Sequence, residues 1–196
     1  GILTVSEPAT ISSQPVNAIV CEGGNTSFTA TATGTNISYQ WQVSPDGTGS
    51  WDNATGTGST TTTYTPPSTV VGTRYYRVLI NAANSGCDQA ITNVVTVNIT
   101  PDLSITTQPT PIIECLGGTS QLHVVTANGS GTITYTWQTS PNGTSSWTNA
   151  SGTGSATPDY TPPSTSTGVL WYRVLINASA NGCESQQSDT VRVTIT

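Results

Sequence analysis

There is no lysine in this chain of 196 residues, no methionine, and only one phenylalanine and one histidine. Charged residues make up 7% of it, against about a quarter in an ordinary globular chain. The only cations are Arg74, Arg77, Arg173 and Arg192, and the formal net charge is −6. Each shortage excludes something. Nucleic acid is held by a cationic surface that displaces counterions, and four arginines in an acidic chain do not make one. Anionic lipid would repel the chain for the same reason, and no apolar run is long enough for a spanning helix, so membrane insertion is not expected. One histidine and no Cys-x-x-Cys spacing speak against a zinc centre. Without lysine, no isopeptide cross-link can form. So little charge is also unlike a disordered tail, which stays open by repulsion.

What is present is Thr, Ser, Gly, Asn and Val. Thr and Val favour strands, and Gly, Asn and Pro favour turns, so the chain reads as all-β. Four cysteines stand at 21, 87, 115 and 183. An even number in a Thr-rich, Lys-free β chain points to an oxidising, extracellular setting.

The chain repeats itself. "YQWQVSPDGTGSW" (Tyr39 to Trp51) returns as "YTWQTSPNGTSSW" (Tyr135 to Trp147), "YTPPST" occurs at Tyr64 and Tyr160, and "YRVLINA" at Tyr76 and Tyr172. The offset is 94 residues before the first Trp and 96 after it, so the second copy carries a two-residue insertion near Asn128 to Gly131. The expected organisation is repeat 1 over residues 11–100, a linker over 101–104 and repeat 2 over 105–196. Residues 1–15 align without gaps with Val95 to Pro109. Residues 1–10 therefore read as the tail of a preceding repeat and its linker, and the chain as a piece of a longer tandem array.

Within each copy, short apolar–polar alternations stand between turn residues. Phe28, Ala30 and Ala32 alternate with Thr, as Leu122 and Val124 do around His123. Val95, Val97 and Ile99 alternate, as do Val191, Val193 and Ile195. Such strands put one face on a core and one in water, and several at this spacing suggest a β-sandwich. Ser44-Pro45-Asp46-Gly47 and Ser140-Pro141-Asn142-Gly143 fit a turn that closes a hairpin. Trp41 and Trp137 precede those turns and are the expected core anchors, with Tyr76 and Tyr172.

These residues resemble an immunoglobulin-like sandwich. Trp41 follows Ala30, and Trp137 follows Val124, at about the spacing between second-strand Cys and third-strand Trp in antibody-type domains. Tyr76-Arg77-Val78 and Tyr172-Arg173-Val174 look like a tyrosine corner with Val at the second core cysteine. The fuller pattern is Cys-x-Gly, then the Trp hairpin, then Tyr-Arg-Val, then Gly-Cys. It resembles the Ig-like repeats of large Bacteroidota cell-surface adhesins and filaments, the gliding adhesins among them. That resemblance covers both copies and implies two tandem immunoglobulin-like β-sandwiches forming an extended rod. It also implies a bacterial extracellular stalk or filament without catalysis, and no cofactor. The implied partners are further copies of the same repeat, with lateral self-association or surface glycans as additional contacts.

On a sandwich topology Cys21 sits at one end of repeat 1 and Cys87 at the other, about 8 to 10 residues of strand apart, roughly 30 Å. A disulfide needs Cα atoms within about 7 Å. The reading therefore favours Cys21 with Cys183, Cys87 and Cys115 reaching to neighbouring repeats. The alternative is one disulfide within each repeat, Cys21–Cys87 and Cys115–Cys183.

Other candidates compete with plainer readings. Glu22, Asp102 and Glu184 are calcium candidates if they converge, and solvated surface charges otherwise. Trp51 and Trp147, with Tyr64 and Tyr160, would make an aromatic platform for a glycan-binding module, or else pack within the fold. Thr190 lies in Asp189-Thr190-Val191, which resembles an O-glycosylation motif of Bacteroidota. His123 shows no nucleophile or carboxylate partner in the sequence, which leaves a Ser-His-Asp set without support.

Overall fold

The computed structural model describes residues 7–82 and 89–196. The chain divides into two compact units between Thr100 and Pro101, each with its own apolar core. Every regular element among the described residues is a strand.

In repeat 1, β1 (Thr10–Ser13) is followed by β2 (Ala18–Cys21), β3 (Phe28–Thr29), β4 (Thr31–Thr33) and β5 (Ile37–Ser44). Then come β6 (Asp52–Asn53), β7 (Thr63–Tyr64), β8 (Gly72–Ala82), β9 (Ala90–Ile91) and β10 (Val95–Thr100). The larger sheet has the order β2-β10-β8-β5-β6, with β9 also on β8. Its backbone is the long antiparallel pair β5–β8, which sets Trp41 opposite Val78. Its edge strand β2 runs parallel to β10, Ala18 opposite Val97 through Cys21 opposite Thr100. The facing layer consists of two short ladders, β1–β4 and β3–β7.

Repeat 2 restates this plan. Its first five strands are β11 (Ser104–Thr107), β12 (Ile112–Glu114), β13 (Leu122–His123), β14 (Val125–Ala127) and β15 (Ile133–Ser140). The rest are β16 (Thr148–Asn149), β17 (Asp159–Tyr160), β18 (Gly168–Ala178), β19 (Gln186–Gln187) and β20 (Val191–Ile195). The sheet order is β12-β20-β18-β15-β16, again with a parallel edge pair, β12–β20. The two extra residues fall between β14 and β15, where Asn128, Gly129 and Gly131 all have positive φ.

The alternations of the sequence point inward as expected. Val95, Val97 and Ile99 are buried, as are Val191, Val193 and Ile195. Trp41 and Trp137 are fully buried, and Tyr76 and Tyr172 nearly so. Ala30 and Val78, Val124 and Val174 fill the places of an inter-sheet disulfide with apolar side chains, all fully buried. The second strand is not continuous. It breaks at Ala30, whose N–H donates to Thr62 O, so that β3 serves β7 and β4 serves β1. Pro101 to Ser104, read as linker, belongs in part to repeat 2. Leu103 is 2% exposed in its core, and Ser104 opens β11. Of residues 1–10, read as the tail of a preceding repeat and its linker, 1–6 lie outside the described residues, whereas Ala9 packs against the core of repeat 1 and Thr10 opens β1 opposite Thr33.

Each Trp is fixed at both ends. Trp41 Nε1 donates to Thr61 O at 2.9 Å, and Trp137 Nε1 to Thr157 O at 2.9 Å. A buried indole N–H left without an acceptor would cost on the order of 1–3 kcal/mol, so the loop that supplies the carbonyl is part of the core. The ring of Tyr64 stacks on Trp41 at 5.6 Å, and that of Tyr160 on Trp137 at 5.4 Å. Their hydroxyls donate back to Thr55 O and Ser151 O.

Candidate functional site on the outer sheet face

The outward positions of β5 and β8 alternate with those that make the core. Gln42 lies opposite Arg77 across the two strands, and Gln138 opposite Arg173 in repeat 2. Arg77 Nε donates to Gln42 Oε1 at 2.9 Å, and Arg173 Nε to Gln138 Oε1 at 2.9 Å. That bond holds each guanidinium over an indole, Arg77 above Trp51 and Arg173 above Trp147, both at 4.2 Å from the ring centre. A cation over an aromatic face is attracted by the ring quadrupole. The amide of each Gln then reaches Asn53 or Asn149 on the next strand, at 3.4 Å. One arginine thus ties three strands of the sheet together.

The arrangement divides the four aromatic residues of the candidate platform. Tyr64 and Tyr160 are core residues, 1% and 0% exposed, and cannot stack on a ligand. Burial, together with the neighbouring Tyr76 hydroxyl, pushes the Tyr64 phenol up to about 12, and burial likewise raises Tyr160. Trp51 and Trp147 are half-buried, each with a guanidinium over one face. Sequence reasoning missed the two arginines. The signal was there, since the spacing from Trp to Arg is the same in both copies.

Beside this cluster, the turn residues do what their chemistry suggests. Asp46 Oδ1 accepts from the N–H of Thr48 and Gly49, and Ser44 Oγ accepts from Asp46 and Gly47. Those backbone donors, that of Gly49 first, hold the Asp46 carboxyl down at about 2. Asn142 Oδ1 accepts the same two bonds, from Thr144 and Ser145. Gly47 and Gly143 have φ of +74 and lie under aromatic rings. A Cβ there would come 2.6 Å from Tyr75 or 2.7 Å from Trp171.

The remaining candidates are scattered. Glu22 and Glu184 are exposed, and Asp102 is partly buried. Among the described residues no three His, Cys, Asp or Glu side chains gather as metal ligands would. Thr190 is exposed, just ahead of β20. His123 does have a partner, contrary to the sequence reading. Its Nδ1 lies 2.5 Å from Asp159 Oδ1, opposite it on β17. Both side chains are half exposed, and in repeat 1 the position is a Thr29–Thr63 contact. Each repeat has an open groove at the same corner of the sandwich. One, of about 240 Å³, is bounded by Val70, Arg74, Tyr76 and Ile99, and the other, of about 290 Å³, by Leu170, Tyr172, Val193 and Ile195. Neither is lined by a carboxylate, so paired-acid glycoside chemistry has no seat there.

Cys21 and Cys183 are both disulfide-bonded. Cys115 is an exposed free thiol, which rules out the within-repeat pair Cys115–Cys183 in this structure. Cys87 lies outside the described residues. Among those residues, no helix is long and apolar enough to cross a membrane.

Comparison with solved structures places the fold. The chain is similar to Sidekick-1 immunoglobulin domains 1–4 (TM-score 0.56, 15% identity, 100% of this chain and 51% of that one). It is similar to extracellular domains 3–5 of Drosophila OTK (0.54, 15%, 100% and 64%) and to titin domains I67–I69 (0.55, 13%, 96% and 66%). It therefore spans about half to two-thirds of their length. At these identities the likeness is one of fold, tandem immunoglobulin-like sandwiches. No curated protein matches the chain. One family model, described as a domain of unknown function (DUF8696), matches residues 8–101 and again residues 107–196, and the chain belongs to that family as two tandem members.

Proposed function

We propose that this chain is a length-giving segment of an extracellular adhesin or surface filament of bacterial type, with each repeat a spacer unit and no catalytic role. The observation that carries this reading is duplication of the supporting parts along with the core. Both repeats keep the buried Trp with its capped indole N–H, the Arg–Trp–Gln brace and the parallel edge pair. The two repeats also share a groove at one corner, but neither groove is lined by a carboxylate, and the other shared parts are braces within the fold and on its sheet face. A rod of such units would hold a distal part of the protein away from the cell, and its implied partners are further copies of the same repeat.

The reading includes a staple, Cys21 to Cys183, joining one repeat to the next. Support comes from the bonded state of both cysteines and the free state of Cys115. Cys115 holds the place of Cys21 in repeat 2 and would take a Cys183-type residue of a following copy. A non-reducing peptide map decides it, with a second protease because arginine is sparse. A Cys21–Cys183 peptide with Cys115 open to alkylation is the expected result. A Cys21–Cys87 peptide would remove the staple and leave two self-contained units. Calcium at Glu22, Asp102 and Glu184 has no support beyond their acidity, and an unchanged melting temperature on chelation is the expected result. Glycan attached at Thr190 would appear as excess mass on protein from its native source.

A further inference from the structure

Among the differences between the outward faces of the two repeats, two fall at directly opposed positions. In repeat 1, Tyr75 on β8 lies opposite Thr96 on β10. In repeat 2 the same pair is Trp171 on β18 opposite Arg192 on β20. Arg173, two residues along from Trp171, faces the same way and lies diagonal to Arg192. Diagonal neighbours in an antiparallel pair stand roughly 7–8 Å apart at their backbones. Because Arg173 reaches away from β20, across β15 to Trp147, the two guanidinium groups stand further apart than that, as separate carboxylates along one polymer would require. Half of the chain's four cations thus flank one half-exposed indole. None of the outward positions of β15, β18 and β20 is acidic. The nearest acid along the chain is Asp189, ahead of β20, where its own N–H is held by Gln108.

Both cationic groups are set for recognition. Arg173 is anchored through Nε by Gln138 and lies over Trp147, which leaves its two terminal nitrogens as a fixed pair of donors. Arg192 is exposed. Trp171 lies over Gly143, where a Cβ would strike its ring, so the indole is held flat against the turn. A guanidinium fork matches a carboxylate in two parallel hydrogen bonds, and an indole offers a broad apolar face beside it.

We propose that the outward face of β18 and β20 in repeat 2 binds a carboxylate-bearing polysaccharide, with Arg173 and Arg192 taking carboxylates and Trp171 stacking on a sugar ring. Neither of the grooves described above is lined by Trp171, Arg173 or Arg192, and an open sheet face suits a polymer lying along it. In a chain of net charge −6, local complementarity to an acidic ligand exists at this place. The proposal is independent of the spacer reading, because a stalk unit can carry a binding face.

The test is binding of the whole chain to polygalacturonate, with dextran as neutral control, at low and raised salt. Wild type should bind the acidic polymer and not dextran, and raised salt should weaken it. Arg192→Thr and Trp171→Tyr each install the residue that repeat 1 already tolerates, so both should fold. Arg192→Thr should weaken binding about tenfold, the effect of losing one charge-assisted contact. Arg74→Thr removes the same charge elsewhere and should leave binding unchanged. No binding by wild type, equal binding of dextran, or an equal loss in Arg74→Thr would each overturn the proposal. So would self-association abolished by Arg192→Thr without polymer binding, which would make the face a contact between copies.

Discussion

The two repeats solve one packing problem with different side chains. Repeat 1 sets Phe28 beside Ala30, and Phe28 stacks with Trp41 at 6.1 Å and meets Tyr76 at 5.5 Å. Repeat 2 sets Leu122 beside Val124 at the same two buried positions. One site loses a ring while its neighbour gains two methyl groups, so the filled volume stays about level. What does not vary is the Trp, its N–H acceptor and the stacked Tyr. The comparison separates residues that define the fold from residues that merely fill it.

The largest effect should come from removing what both repeats share. Trp41→Ala or Trp137→Ala should destabilise its own repeat by about 3–5 kcal/mol and leave the other's transition in place, as seen in two-step denaturation. Next come the compensating pairs. Ala30→Val alone should overpack repeat 1 by about 1–3 kcal/mol, and adding Phe28→Leu should recover much of that. A double-mutant cycle that shows simple additivity would mean the two sites are not coupled. A smaller loss, about 0.5–1 kcal/mol, is expected when Arg77→Met keeps the stem but removes the charge over Trp51.

The subtlest contrast is in pH. The Asp46 carboxyl is depressed to about 2 in the folded state, below its usual value near 3.9. Its contribution is therefore present above that usual value and lost as pH falls through about 2. Asn142 does not titrate. Asp46→Asn should flatten the acid limb of repeat 1 toward that of repeat 2, and an unchanged acid limb would contradict the assigned hydrogen bonds. At the other extreme, Tyr64 is raised to about 12, so its contribution is whole below about 10 and lost as pH rises through about 12.

Much of this was legible because the residues speak locally. Alternating Val and Ile, a Pro-Asp-Gly turn and a Trp repeated at fixed spacing each carry their meaning within a few positions. Burial of Trp41 and Tyr76 followed from that. The break at Ala30 was not legible, since it depends on which distant strand each half of the segment meets. Whether Tyr64 and Tyr160 stand on a platform or pack within the fold was open in the sequence, because the answer depends on the Gly- and Thr-rich stretches before them, which fold over the indoles and carry the tyrosines inward. The brace of Arg77 on Trp51 joins separate strands, and only the recurrence of the pair in the second copy hinted at it. The serine and threonine hydroxyls at Ser188 and Thr92 were equally silent. They are buried and accept the N–H of Val174 and Val78, partners 14 residues away in the chain.

The parallel edge pair has a mechanical consequence. In each repeat the strand near the start of the unit lies alongside the strand that ends it, both running the same way. A force applied to the two ends of a unit would drag these strands past each other lengthwise. Their backbone hydrogen bonds would then be loaded in parallel and would have to fail together, rather than opening one at a time like a zipper. Pulling a unit end to end in a force spectrometer should accordingly need more force than pulling it from Thr100 and Gly72, the neighbouring ends of β10 and β8, where the bonds would peel in sequence.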